Sequence, residues 1–186
     1  MIKLHKELFF EGGISMIIET ERLYFEPLGS QDLDALKQIL QNGKTMESYG
    51  GVRSDEECSQ WIDRQQQRYE QLGYGIWSIL RKDTRQMIGQ GGLVYHNWKK
   101  EPVLDLVYII KNEYWQQGYG KEAAAALERY AFETLDVEEV NSIIRDTNEY
   151  SQIISLGLGM EVIDRKTDVY RGVSRPHYLY NVKRNK

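Results

Sequence analysis

The sequence predicts a single α+β domain with about seven strands and about four helices. Segments with strand and helix character follow one another in the order β-α-α-β-β-β-α-β-α-β-β. Short turns separate the three central strand segments, which is typical of an antiparallel meander. With 186 residues, of which 41% are hydrophobic and 28% charged, the chain is long enough to bury one substantial core.

The first half of the chain contains one predicted strand and two predicted helices. Residues 22–28 alternate in polarity and end at a Pro-Leu-Gly stretch, which favours a short strand. A helix is expected to begin at Ser30 as its N-cap and to end before an Asn-Gly pair. A second helix is expected to reach about residue 71, because Ser54 and Glu57 form a capping-box pattern at its start.

The second half of the chain alternates strands with two further helices. Four consecutive alanines after Glu122 make the segment around them a strong helix former, and Asn148 is a suitable N-cap for the last helix. The predicted strands cover residues 76–80, 87–95, 103–110, 140–144, 160–170 and 178–183, and the two helices cover 118–135 and 148–156.

Composition argues against several classes of protein. The formal net charge is −4, which does not favour nucleic-acid binding and is compatible with a cationic partner such as an amine. No apolar stretch approaches the roughly twenty residues that a membrane span needs. Cys58 is the single cysteine and the three histidines lack ligand spacing, so we expect no disulfide, no metal site and a cytoplasmic location.

The first fifteen residues do not resemble the rest of the chain. They contain a short apolar patch but no secretory pattern with a small-residue cleavage site. We expect residues 1–15 to be a disordered leader or alternative-start extension, and residues 16–186 to form the single domain. Intact-mass analysis of protein made from the native gene tests this expectation, since an N-terminus at Met1 would contradict it.

The segment Gly118-Tyr119-Gly120-Lys121 lies between an apolar strand and the alanine-rich helix. Free N–H groups at the first turn of a helix attract anions, and glycine allows a phosphate to approach the backbone closely. The spacing does not match a Walker A loop, and it matches a dinucleotide-binding fingerprint only weakly. A plain tight turn also fits the segment, so the motif alone suggests an anion site without establishing one.

Four motifs occur in the following order along the chain: Glu19-Thr20-Glu21-Arg22-Leu23, Glu113-Tyr114-Trp115-Gln116-Gln117-Gly118-Tyr119-Gly120-Lys121-Glu122-Ala123, Asn148-Glu149-Tyr150-Ser151 and Leu158-Gly159-Met160. Their joint order and spacing over residues 16–183 resemble those of GNAT-superfamily N-acetyltransferases, in particular the ribosomal-protein-alanine acetyltransferase branch. Four residues depart from the commonest residues of that pattern, namely Asn112, Trp115, Gly120 and Met160.

The resemblance implies a mixed sheet with a splay after strand 103–110, and acetyl-CoA as the co-substrate. In such a fold the pantetheine arm pairs with backbone groups in the splay, for which Ile109 and Ile110 are the candidates. Asn148 would combine helix capping with a hydrogen bond to the cofactor. The pyrophosphate would lie on the backbone N–H groups of Gln117, Gly118, Tyr119, Gly120 and Lys121.

The resemblance also implies direct acetyl transfer to a primary amine, with no covalent enzyme intermediate. The amine must lose a proton, and Asp105 is the candidate base, directly or through water, although a purely structural carboxylate fits equally well. Glu101 is a weaker candidate. Ser151 would donate a hydrogen bond or a proton to the departing sulfur, with Tyr150 as an alternative donor.

The acceptor remains open at this point. A protein N-terminus and a small-molecule amine are both compatible with the sequence, and so is a monomer or a homodimer. A non-catalytic acyl-CoA-binding sensor on the same fold is the alternative function. It would need Gly118, Gly120 and Asn148 but neither Asp105 nor Ser151. A nucleotide-binding interaction module is a third possibility, which the Walker and dinucleotide spacings disfavour.

Overall fold

A computed structural model describes residues 17–170 and 173–184, and in these residues the backbone forms one open sheet flanked by helices. The sheet has eight strands in the order β1-β2-β3-β4-β5-β6-β8-β7, so the predicted α+β class is confirmed. One strand more than predicted is present, because a two-residue strand pairs at the sheet edge. The prediction for residues 1–15 lies outside the described residues.

Most elements agree closely with the predicted segments. The strands are β1 (Ile18–Glu19), β2 (Leu23–Pro27), β3 (Ile76–Arg81), β4 (Met87–Trp98), β5 (Glu101–Ile110), β6 (Glu139–Arg145), β7 (Glu161–Tyr170) and β8 (Val173–Lys183). The helices are α1 (Leu33–Leu40), α2 (Asp55–Leu72), α3 (Tyr119–Glu133) and α4 (Glu149–Gly157).

The predicted helix starts are confirmed for α2 and α4 but not for α1. Ser54 accepts a hydrogen bond from the N–H of Glu57 at the start of α2, as the capping-box pattern predicts. Ser30 does not cap α1, because a short 3-10 turn over Ser30–Asp32 precedes the helix. There the Asp32 carboxylate accepts from the N–H of Gly29, 2.9 Å away.

The sheet is an antiparallel meander from β2 to β5, and the prediction of such a meander is confirmed for β3, β4 and β5. The third strand of the meander, β4, runs without interruption although three of its residues are glycines. Gly92 explains why glycine is needed at one of these positions, since a Cβ there would lie 1.8 Å from the carbonyl oxygen of Gly75. The glycine thus permits a close backbone approach rather than breaking the strand.

Two apolar clusters hold the helices against the sheet. The larger lies between the sheet and α3, where the ring centroids of Trp77 and Tyr130 meet edge to face at 5.2 Å. The smaller joins α1 and α2 to the sheet through residues such as Ile62 and Ile109. Burial of such side chains is worth roughly 1.5–3 kcal/mol each, so both clusters fix the helices that surround the sheet centre.

The sheet opens between β5 and β6, the two parallel strands at its centre. Asp105 and Asn141 form the single registered pair between them, although both strands are several residues longer. β5 pairs with β4 along the whole length of β5, and β6 pairs with β8 along the whole length of β6. The sheet therefore splays between β5 and β6, as the family resemblance implied.

Candidate active site

Side chains rather than strand pairing satisfy the backbone of β5 where it faces β6. The Asn141 side-chain amide donates to the carbonyl oxygen of Leu104 at 3.3 Å. The Ser142 hydroxyl donates to the carbonyl oxygen of Leu106 at 3.2 Å. These bonds bridge the narrow end of the gap, so β6 stays attached to β5 while the strands diverge further along.

The wide end of the gap is bordered by two more carbonyl groups of β5. The Tyr49 hydroxyl donates to the carbonyl oxygen of Tyr108 at 2.9 Å. The indole N–H of Trp115 donates to the carbonyl oxygen of Ile110 at 2.8 Å. Both donors come from segments outside the sheet, so in the described part of the chain no neighbouring strand covers this end of β5 on the side that faces β6.

The two predicted backbone candidates in β5 point in opposite directions. The N–H of Lys111 donates to the carbonyl oxygen of Ile88 in β4, at 2.8 Å. Backbone groups alternate along a strand, so those of Ile109 also face β4, whereas those of Ile110 face the gap. A Cβ on Gly89 would lie 2.5 Å from the Ile109 carbonyl oxygen, which agrees with this orientation.

The N-terminus of α3 lies next in the chain after the wide end of β5. Gly118 is its N-cap and has a φ of 83°, the left-handed region that glycine adopts most readily. Gln117, Gly118 and Lys121 are exposed, whereas the Tyr119 ring is buried against the core. The predicted loop therefore presents its backbone at the surface, with a full helix behind it.

Arg22 holds this helix end to the start of the sheet. Its guanidinium donates to the Glu122 carboxylate at 2.7 Å and to the Gln117 carbonyl oxygen at 2.9 Å. The Thr20 hydroxyl donates to the same carboxylate at 2.6 Å. Burial alone would raise the pKa of Glu122, but these hydrogen bonds outweigh it and hold the pKa below its usual range. The loop is thus braced by charged groups that stay ionised.

Asp105 lies at the point where β5 and β6 pair. It is 2% exposed, and its Oδ1 accepts from the N–H of Ile143 at 3.0 Å. Its Oδ2 lies 2.7 Å from Nδ1 of His96, whose side chain is 47% exposed. Burial raises the pKa of Asp105, and the His96 contact opposes that rise. A buried carboxylate therefore orients an imidazole that reaches solvent.

The sequence did not identify His96 as a functional residue. His96 lies on β4 and Asp105 on β5, and the hairpin register places Asp105 opposite Val94. His96 is two residues further along β4 and so shares the same face of the sheet. Glu101, the weaker candidate for the base, is exposed at the start of β5. Asp105 and His96 line a common cleft, described below, and Glu101 does not line it.

A group of hydroxyls surrounds the start of α4. Asn148 caps the helix, its side-chain oxygen accepting from the N–H of Ser151 at 3.3 Å. Ser151 is 8% exposed and lies beside the hydroxyls of Tyr49 and Tyr108. Burial raises the pKa of Tyr49, although its hydrogen bonds with Asn148 and Ser151 oppose the rise. Its hydroxyl is therefore protonated at neutral pH.

Tyr150, the alternative donor, has a different position from Ser151. It is 56% exposed, and its hydroxyl accepts from the Gln116 side-chain amide at 2.5 Å. Tyr150 and Gln116 do not line the cleft that Ser151 lines. Ser151 thus lies among buried hydroxyls, whereas Tyr150 lies outside them.

One cleft of about 470 Å³ joins these groups. Its walls come from α2 and the segment before it, from the start of α4, and from the strands β3 to β8. Asp105, His96, Asn148, Ser151 and Tyr49 all line it. The His96–Asp105 pair, which could accept a proton, and the hydroxyls, which could donate one, therefore line the same cleft, as a proton-transfer reaction requires.

Three further features of the described residues concern metal binding, thiol reactivity and membrane spans. No group of three or more His, Cys, Asp or Glu side chains there has the geometry to hold a metal ion. Cys58 is buried in α2, where burial raises the pKa of its thiol, so it lacks the properties of a reactive thiolate. Among those same residues, no helix is long and apolar enough to cross a membrane.

Comparison with known proteins adds a family match. The model of the acetyltransferase (GNAT) domain matches residues 22–161. The Bacillus subtilis (strain 168) protein YoaA, an uncharacterized N-acetyltransferase, is 26% identical over 148 residues, which cover 78% of this chain and 82% of YoaA.

Solved structures with similar folds include two acetyltransferases. The ribosomal-protein-S5-alanine acetyltransferase of Vibrio fischeri superposes with a TM-score of 0.72 at 16% identity, covering 89% of this chain and 94% of that one. The microcin C7 self-immunity acetyltransferase MccE, solved with acetyl-CoA and AMP, gives 0.73 at 14% identity, covering 88% and 93%. At such low identities these likenesses concern the fold.

Proposed function

Because the chain belongs to the GNAT acetyltransferase family and is thus an acyltransferase, we propose that it transfers an acetyl group from acetyl-CoA directly to a primary amine. The observation that supports this most strongly is the joint position of three features. The gap borders β5, the His96–Asp105 pair is anchored on β5, and the exposed N-terminus of α3 comes soon after β5 in the chain. A thioester, an anionic tail and an amine would each meet a suitable group there.

The chain offers a place for each part of acetyl-CoA. The pyrophosphate would rest on the N–H groups of residues 117–121, where the first turn of α3 leaves them unpaired and its dipole favours an anion. The pantetheine arm would enter the gap and pair with the backbone of Ile110, which faces it, rather than with that of Ile109. The carbonyl oxygens of Tyr108 and Ile110 already accept hydrogen bonds from side chains, so the N–H of Ile110 is the group that the arm would meet.

Acetyl-CoA supplies the activated acyl group, and the chain supplies proton transfer. We assign His96 as the base that takes the amine proton and Asp105 as the residue that positions it. Asp105 is almost fully buried with both oxygens engaged, whereas His96 reaches solvent and is therefore better placed to meet an acceptor. Because Nδ1 of His96 faces the carboxylate, its other ring nitrogen is left to accept a proton.

The departing sulfur would receive a proton or a hydrogen bond from one of the hydroxyls around the start of α4. Ser151 is the first candidate, and Tyr49 is a second that the structure adds. The raised pKa of Tyr49 keeps its hydroxyl protonated at neutral pH. No histidine or other base is hydrogen-bonded to the Ser151 hydroxyl in the described residues, so we propose hydrogen-bond donation rather than a serine nucleophile.

Two assays test the proposed function. Free-thiol release from acetyl-CoA is measured with a panel of primary amines and N-terminal peptides, and we expect release that depends on the amine. Rapid quenching followed by intact-mass analysis should then find acetylated amine but no acetylated protein. Tight acetyl-CoA binding without release from any acceptor would favour the sensor function instead. An acetyl-protein that forms and decays at the rate of product formation would contradict direct transfer.

A further inference from the structure

The central cleft carries the opposite charge from the whole chain. The formal net charge of the protein is −4. The cleft nevertheless contains five arginines and two aspartates, with two histidines beside them. A cleft lined mainly by positive side chains raises the local concentration of anionic ligands, even on an acidic protein.

Two of the arginines project from the same side of α2. Arg68 donates to the Gln65 side-chain oxygen at 3.1 Å, and the Arg64 guanidinium lies 5.7 Å from the centre of the Trp61 ring. Burial, followed by the neighbouring charge of Arg64, lowers the pKa of Arg68. Two like charges are thus held next to each other in a partly desolvated place, which a bound anion would relieve.

Two more arginines approach the cleft from other elements. Arg53, just before α2, donates to the carbonyl oxygen of Tyr49 at 3.3 Å. Arg145, at the end of β6, donates to the carbonyl oxygen of Glu47 at 3.0 Å. The Nε of Arg145 is buried and has no hydrogen-bond partner among the described residues. Their contacts are with neutral groups, so the guanidinium charges are not cancelled.

The two aspartates in the cleft are engaged elsewhere. Asp105 faces His96 and the backbone of β6, as described above. Asp168 lies 3.2 Å from the Lys166 ammonium and 3.6 Å from Nδ1 of His177. The ion pairs of the described residues include none of the following arginines: Arg53, Arg64, Arg68 and Arg145.

From this arrangement we infer that the acetyl acceptor is an amine that also carries acidic groups, and that Arg64, Arg68, Arg53 and Arg145 bind those groups while the amine faces His96. This inference rests on the proposed function, since it assigns a substrate class to the same site. Guanidinium groups bind carboxylates and phosphates through paired N–H donors, so the four side chains suit either acid. A free amino acid and an acidic protein N-terminus share this chemistry.

The cofactor itself is anionic, so the test must separate it from the acceptor. Its phosphates are assigned to the N-terminus of α3, and residues 117–121 do not line the cleft. If the arginines recognise the acceptor, removing Arg64 and Arg68 should leave the affinity for CoA unchanged. This difference provides the internal control for the experiment.

The experiment measures the affinity of matched bisubstrate conjugates by calorimetry. In one, the sulfur of CoA is joined through an acetyl linker to the amine of L-aspartate. In the other, both carboxylates of the aspartate are replaced by amides of the same shape. We expect the aspartate conjugate to bind at least about tenfold more tightly to the wild-type protein, since charge-assisted hydrogen bonds discriminate by this much or more.

Variants of α2 then locate the preference. The Arg64→Gln/Arg68→Gln protein should lose most of the preference for the aspartate conjugate, and Arg64→Lys/Arg68→Lys should keep part of it. If the double variant does not fold, Arg64→Gln alone serves as the test, because Arg64 lies at an exposed position where the change should not affect folding. Arg129→Gln, on the exposed side of α3, is the matched control and should leave the preference intact.

Three results would overturn the inference. Equal affinity of the two conjugates for the wild-type protein would refute acidic recognition while leaving acetyl-CoA binding intact. An equal loss of CoA affinity in the double variant would show that the arginines hold the cofactor. Failure of CoA and both conjugates to bind would refute the proposed function together with the inference.

A third conjugate distinguishes the two sources of the acidic amine. It carries a short peptide amide of acidic residues, joined through its N-terminal amine, in place of free aspartate. Tighter binding of the peptide conjugate would identify an acidic protein N-terminus as the acceptor. Tighter binding of the aspartate conjugate would identify a small acidic metabolite.

Discussion

The substitution Asp105→Asn tests the proposed roles of the buried pair most sharply. Asparagine has nearly the same shape as aspartate, so its side-chain oxygen can still accept from the N–H of Ile143, which lies 3.0 Å from Oδ1 now. The 2.7 Å contact with Nδ1 of His96 reverses its direction, because the new amide group can donate a hydrogen bond to Nδ1 where the carboxylate could only accept one. The imidazole would then hold its proton on the ring nitrogen that must accept one from the amine.

The expected loss follows from this change in proton position. A positioned general base contributes about 10²–10⁴-fold to the rate, so we expect kcat to fall by about 10²–10³-fold, or about 3–4 kcal/mol. The affinity for acetyl-CoA should hardly change. Initial rates of thiol release between about pH 6 and 9 measure the effect, and His96→Gln should lose a comparable amount.

The stability of the variant separates this role from a structural one. Burial raises the pKa of Asp105, so the stability linked to this group is present below its unfolded pKa and is lost as pH rises through the folded pKa. Asparagine removes that loss, and the melting temperature at pH 8 should not decrease. Because the two residues act as a unit, the double variant Asp105→Asn/His96→Gln should be no slower than the slower single variant. Unchanged kcat in Asp105→Asn, or additive losses in the double variant, would show that Asp105 does not act through His96.

Three further predictions concern the loop, the hydroxyl cluster and the core. Gly118→Val should weaken acetyl-CoA binding at least about a hundredfold by calorimetry, since a β-branched residue strains a φ of 83°. Gly43→Val is the control, because a Cβ at that position meets nothing within 4 Å. Normal acetyl-CoA affinity in a folded Gly118→Val protein would show that the loop is not part of the cofactor site. Ser151→Ala and Tyr49→Phe should each lower kcat by about threefold to thirtyfold, as expected for one lost hydrogen bond, while the affinity for acetyl-CoA is retained. If both variants keep the wild-type rate of thiol release at every pH, neither hydroxyl is the donor to the sulfur. Trp77→Ala, at a fully buried position, should cost about 3–5 kcal/mol of unfolding free energy in urea, and a loss below 1 kcal/mol would contradict the description of the core.

Local signals were sufficient for most of the fold. The alanine run of α3, the Asn148 cap and the Ser54 capping box each act within one turn of helix, so the sequence displays them directly. The two-residue strand β1 was missed because its pairing partner, not its own composition, defines it. The prediction of an N-cap at Ser30 was wrong because a 3-10 turn comes first.

The candidate site was harder to predict because it depends on register and tertiary contacts. His96 meets Asp105 only through the pairing of β4 with β5, which the sequence does not specify to the residue. Arg64 on α2 and Arg145 on β6 reach one cleft although they are far apart in the chain. The gap between β5 and β6 was expected from the family resemblance alone, since no residue type signals that two strands diverge.

A calorimetric titration of the purified protein with acetyl-CoA shows whether the protein binds the proposed co-substrate. We expect a single site with a dissociation constant of about 1 mM or tighter, the range of ordinary substrate affinities, and no competition by an equal concentration of ATP. Absence of binding would mean that acetyl-CoA is not the co-substrate, and the segment 117–121 would then be only a turn between a strand and a helix.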